Sequence, residues 1–164
     1  MISAKMADAI NKQINRELFS AYLYLAMSND ATEKGVKGAA SWFMLQFHEE
    51  QEHALKFSKY LQDQNAKVEL FAIEEPRKTW ADLLEMFKET LAHEQHVTAC
   101  INELANQATV EKDHATQSML RWFIDEQVEE ESSVNDVIWM LEMSAGSKGA
   151  IFMADRQLGK RAAD

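Results

Sequence analysis

Residues Gln46–His53 read QFHEEQEH, and the placement of their polar side chains decides what kind of helix they belong to. Phe43, Phe47, Glu50, Ala54, Phe57 and Leu61 follow one another at steps of three and four, the period of a single buried helix face. Glu50 therefore stands inside an apolar row, and His53 lies one turn from both Glu50 and Phe57. Side chains at i and i+3 can point toward one centre. Glutamates on a helix are ordinarily a solvated face. A buried ionised carboxylate, by contrast, is costly unless it is paired, protonated or bound to metal.

Three other segments repeat the pattern. Ile10, Ile14, Glu17, Ala21 and Tyr24 form one row; Leu83, Phe87, Leu91, Glu94, Val97, Ile101 and Leu104 form another; Leu120, Phe123, Gln127, Glu130, Val134, Val137 and Leu141 form the last. Each row carries a carboxylate near its middle, and none supplies a matching lysine or arginine. The helical period runs from about Met6 to Asn29, from Val36 to Gln64, from Trp80 to Gln107, and from His114 to just before Gly146. Residues 65–79, which contain Pro76, lose it. Helices of roughly 24–30 residues span about 35–45 Å. Four of them with two short connections and one long one predict an all-α four-helix bundle with a crossover between the second and third helices. KGAIFMADRQLG adds a short fifth helix that stops around Gly159. The expected organisation is one domain over 1–164, the bundle at about 4–145 and the last helix at about 147–158.

Composition narrows the function classes. Against 17 Lys+Arg there are 27 Asp+Glu, a formal net charge of -10, which argues against nonspecific binding to nucleic acid or anionic membranes. Cys100 is the single cysteine, so neither an intrachain disulfide nor a thiolate metal cluster is available. No apolar run approaches membrane-spanning length, and a soluble, cytoplasmic protein is expected. Glu17, Glu50, His53, Glu94, Gln127 and Glu130 together offer an oxygen-rich ligand set with one imidazole. Such a set suits divalent iron or manganese better than copper, with zinc left open.

The segments NRELFSAYLYLAM, HEEQEH, AHEQHV and FIDEQVEEE, at this spacing over almost the whole chain, resemble the bacterial non-haem ferritins. The wider class of ferritin-like di-iron proteins places a Glu on two helices and Glu-x-x-His on the other two. Here the fourth helix carries Gln127-x-x-Glu130 instead, as the ferritin branch does. Gln51 stands where a bacterioferritin would place its haem-ligating methionine, so no haem is expected. The resemblance implies a ferroxidase for iron storage and detoxification, oxidising Fe2+ to Fe3+ with dioxygen or peroxide and depositing a ferric mineral inside a cage. It assigns one iron to Glu17, Glu50 and His53, and a second to Glu50, Glu94 and Glu130 with Gln127 nearby. Tyr24 would serve beside the pair. A third iron would lie at Glu49, Glu126 and Glu129 with help from Glu130.

The resemblance also implies a homo-oligomer of 24 subunits, with the fifth helix at four-fold contacts. Two alternatives stand beside it: a DNA-protecting miniferritin, against which the short ending GKRAAD and the single-chain ligand set both speak, and a catalytically silent iron-binding bundle. His48, His93, His96 and His114 are expected at the surface or at interfaces. The four tryptophans are expected in packing or subunit contacts, and Cys100 as a small buried apolar residue.

Overall fold

The computed structural model describes residues 2–144 and 146–161; both ends of the expected 1–164 domain, including the last three residues of the GKRAAD ending, lie outside them. Five helices follow one another: α1 (Ala4–Glu33), α2 (Lys37–Asp63), α3 (Leu83–Val110), α4 (His114–Met143) and α5 (Lys148–Leu158). The first four form the bundle, with α1 against α2, α3 against α4, and α1 also packed on α3. No helix among the described residues is long and apolar enough to cross a membrane.

Local chemistry sets the helix ends. The side chains of Ser3, Asp82 and Asp113 accept from the backbone N–H groups of Met6, Glu85 and Thr116, satisfying donors that a helix leaves unpaired at its start. The cap at Asp82 explains why α3 begins at Leu83 rather than near Trp80, as periodicity suggested. Trp80 is instead the buried end of the crossover. Its backbone N–H donates to Asp30 Oδ2 at 3.1 Å and its indole N–H to Glu89 at 2.8 Å. At its other end the crossover is held by Asn11, which donates to the Lys67 carbonyl and accepts from the Glu69 N–H. Asn11 and Asp30 lie roughly 28 Å apart along α1 at 1.5 Å per residue, so the connection runs down the bundle.

The start of α2 has no side-chain cap of its own. Asp155 of α5 supplies one, accepting from the Ala39 N–H at 2.8 Å. The approach is close enough that a Cβ at Gly38 would sit 1.7 Å from the Asp155 carbonyl oxygen, so only glycine fits there. Gly38 thus lets α5 dock flush on the first turn of α2.

The core is divided. One apolar cluster gathers Tyr24, Trp42, Phe43, Trp80, Phe87 and Leu141; the other gathers Ile10, Phe57, Ile101, Leu120 and Phe123. Between them lie buried polar side chains contributed by all four long helices.

Candidate metal centre

The polar layer contains Glu17 from α1, Glu50 and His53 from α2, Glu94 from α3, and Gln127 and Glu130 from α4, every one of them buried. No lysine or arginine among the described residues is buried with them. Glu17, Glu50 and His53 bring one ligand atom each within 4.8 Å of one another. His53 Nδ1 lies 3.6 Å from Glu50 Oε2 and 4.0 Å from Glu17 Oε2. Those same oxygens, Glu17 Oε2 and Glu50 Oε2, have no hydrogen-bond partner. Unpaired buried carboxylate oxygens facing an imidazole fit a divalent cation, because few other partners could offset their desolvation. A second grouping joins His53 to Glu126 and Glu130, again within 4.8 Å.

Polar neighbours orient the carboxylates. Gln13 donates to Glu17 Oε1 at 2.7 Å, and Gln46 donates to Glu130 Oε2 at 2.9 Å. The Tyr24 hydroxyl donates to Glu94 Oε1, and Gln127 donates to Glu94 Oε2 at 3.1 Å. Both oxygens of Glu94 are thus held, one by Tyr24 and one by Gln127. Tyr24 itself is fully buried.

Electrostatics follow from the burial. Desolvation, then the neighbouring carboxylates Glu94, Glu17 and Glu130, push the Glu50 pKa well above the ordinary range. Burial raises Glu94 to about 7 against the hydrogen bonds from Tyr24 and Gln127. It raises Glu130 to about 8, helped by the charges of Glu94 and Glu49 and opposed by Gln46 and Arg161. Burial together with the charges of Glu94 and Glu50 lifts the Tyr24 phenol well above its usual value. Such a layer holds protons or cations; it cannot stay fully ionised and empty.

Glu49, Glu126 and Glu129 line one hollow beside this layer, together with Glu130, Asp136 and Arg161. Glu49 is engaged there by Arg161 Nη2, at 2.9 and 2.7 Å to its two oxygens. Glu129 is exposed and Glu126 half-buried.

Sequence reasoning passed over Gln13, Gln46 and Arg161. Gln13 lies four residues before its partner Glu17, a spacing visible in the sequence, whereas Gln46 bonds Glu130 of another helix and carries no such signal. His93 corrects an expectation. It sits on the seam between α1 and α3, with Nε2 2.7 Å from Ser20 Oγ and its ring edge-on to Tyr24 at 6.0 Å. Burial lowers its pKa to about 4. His48, His96 and His114 are exposed, and Cys100 is buried. Trp42 and Trp80 are buried, Trp139 is exposed, and Trp122 packs edge-on against His53 at 5.3 Å.

Comparison with known proteins agrees with this geometry. Residues 7–144 match the Ferritin family, described as a ferritin-like domain. A bacterial non-heme ferritin of Staphylococcus aureus (strain USA300) is 37% identical over 164 residues, covering 100% of this chain and 99% of that one. Its counterpart from Campylobacter jejuni is 32% identical over 158 residues, 96% of this chain and 95% of that one. The crystal structure of an open pore ferritin from the archaeon Archaeoglobus fulgidus superposes with a TM-score of 0.98 at 40% identity, covering 99% of this chain and 100% of that one. With the four-helix carboxylate layer in place and similarity along its whole length, the chain belongs to the bacterial non-haem ferritin family.

Proposed function

We propose that this chain is a ferroxidase of the ferritin type, binding two Fe2+ ions in the buried layer and oxidising them to Fe3+ for storage as a ferric mineral. The observation that carries the reading is the pair of unpartnered oxygens, Glu17 Oε2 and Glu50 Oε2, buried beside His53 with no lysine or arginine of the described residues buried among them. Iron is here the substrate. Glu17, Glu50 and His53 hold one ion. Glu50, Glu94 and Glu130 hold the other with Gln127 close by, and Glu126 reaches the same region beside His53 and Glu130. Carboxylate oxygens stabilise Fe3+ more than Fe2+, and two ions side by side can deliver two electrons together to dioxygen or peroxide. Glu94 and Glu130, with pKa values of about 7 and about 8, give up protons as cations enter. The Tyr24 hydroxyl keeps Glu94 oriented throughout.

A third iron belongs, on this reading, to the hollow of Glu49, Glu126 and Glu129, where it competes with Arg161 for Glu49 and binds more weakly than the pair. Family membership supports a homo-oligomer, and we assign the 24-subunit cage, acting in the cytoplasm, to this chain. The test is a crystal structure after anaerobic soaking in Fe2+, with anomalous scattering locating the ions. Two ions between the four long helices are expected. Iron found only at subunit contacts, or none at all, overturns the assignment and leaves a DNA-protecting miniferritin or a catalytically silent bundle.

A further inference from the structure

Arg161 follows α5 in the chain yet reaches the edge of the metal centre. Its guanidinium donates through Nη2 to both oxygens of Glu49 and through Nη1 to Gln46 Oε1, while its plane lies over the Trp42 ring at 4.9 Å. Gln46 is fully buried, and its Nε2 donates to Glu130 Oε2. An amide has one accepting end and one donating end. A guanidinium, which only donates, therefore fixes which way round Gln46 sits: Oε1 outward to Arg161, NH2 inward to Glu130. If the amide turned over, its oxygen would face a carboxylate oxygen.

The same arrangement occurs once more in the layer. Arg16 Nη1 donates to Gln13 Oε1 at 3.1 Å, and Gln13 donates to Glu17. That relay is confined to one helix. The relay through Gln46 begins 115 residues away, beyond α5.

We propose that Arg161 is a positioning residue of the metal centre: docked beside α2 by α5, it orients Gln46 and through it the Glu130 carboxylate, so that the second cation position depends on the C-terminal segment. The inference rests on the two-cation reading of the layer. Groups that orient metal ligands are typically worth about 10–100-fold in metal affinity, and the charge-assisted contacts of Nη2 with both Glu49 oxygens give the guanidinium a fixed place from which to act.

The experiment is anaerobic titration of the full-length assembled protein with Co2+, a redox-silent probe whose visible absorption reports the ligand set of each equivalent. In Arg161→Gln the second equivalent is expected to weaken about tenfold and to change its absorption, with the first equivalent unaltered. Gln46→Leu, which leaves Asp155 and the docking of α5 untouched, is expected to weaken the second equivalent as much. The double variant should lose no more than either single one. Arg161→Lys keeps the charge but not the planar fork and should recover only part of the loss. An unchanged second equivalent in Arg161→Gln overturns the inference. So does an effect of Arg161→Gln that Gln46→Leu fails to reproduce, or losses that add in the double variant. If the native protein takes up no Co2+ in the layer, the two-cation reading itself fails, and the positioning role with it.

Discussion

The buried layer and the acidic hollow beside it share Glu130, yet they balance negative charge by different means. In the layer, Glu17, Glu50, Glu94 and Glu130 are all buried, no lysine or arginine among the described residues is buried with them, and a single imidazole, His53, lies close by, so protons or metal ions must neutralise them. In the hollow, Glu49 is already neutralised by Arg161 and Glu129 stands in solvent. A carboxylate that keeps a guanidinium partner or its hydration is under little pressure to bind a cation. A buried carboxylate with an unpartnered oxygen is under a great deal. Identical side chains at neighbouring positions on the same helices thus acquire different chemistry from their surroundings alone.

The most severe way to break the contrast is Glu50→Ala. It removes one of the two unpartnered oxygens and a carboxylate from the middle of the layer. Binding of the first cation should fall by about two orders of magnitude, and Fe2+ oxidation at two irons per subunit should slow in proportion, as stopped-flow absorbance would record.

A second test uses pH. The raised values of about 7 for Glu94 and about 8 for Glu130 mean that the folded, metal-free protein keeps protons which the unfolded chain releases near the ordinary carboxylate pKa of about 4.3. Stability from this source is complete below that point and is lost as pH rises through about 8. The thermal midpoint of the metal-free protein should therefore fall between pH 5 and pH 9, and saturating Co2+ should remove most of the fall. Cation uptake should release protons below pH 7, measurable by calorimetry in buffers of different ionisation heat.

The smallest effects sharpen the boundary between the two regions. Glu49→Ala with Glu129→Ala should leave both cations of the layer bound, altering at most the oxygen consumed per iron. Glu126→Ala should weaken the second cation severalfold, because Glu126 also belongs to the cluster with His53 and Glu130. Equal losses in all three positions would erase the distinction between layer and hollow.

Most of the layer could be read from spacing. The rows through Glu17, Glu50, Glu94 and Glu130 follow helical steps, and a helix turns periodicity directly into a shared face. Spacing failed where two neighbouring positions competed for the inside. Phe47 looked like a core residue, but it is half-buried while Gln46 is completely so; the row leans toward the polar layer at that level. Trp80 looked like the first residue of α3 because it is apolar and in phase, whereas the cap at Asp82 ends the crossover first. His93 depends on how closely α1 and α3 approach, which neither helix encodes alone. Arg161 lies beyond any periodic signal, since its partners sit more than a hundred residues earlier and are reached only after α5 has folded back.

The cap that Asp155 places on α2 has a consequence in time. A chain is made from its N-terminus, and domains begin to form as they emerge. The α1–α2 hairpin can pair early, but the first turn of α2 waits for an acceptor 116 residues further on, and Gln46 waits for one 115 residues further on. A growing chain, or one cut short before α5, therefore leaves α2 without its cap, Gln46 without its anchor, and the apolar cluster around Trp42 and Phe43 without Ala154 and Leu158. The first helix pair is thus closed by residues made long after it.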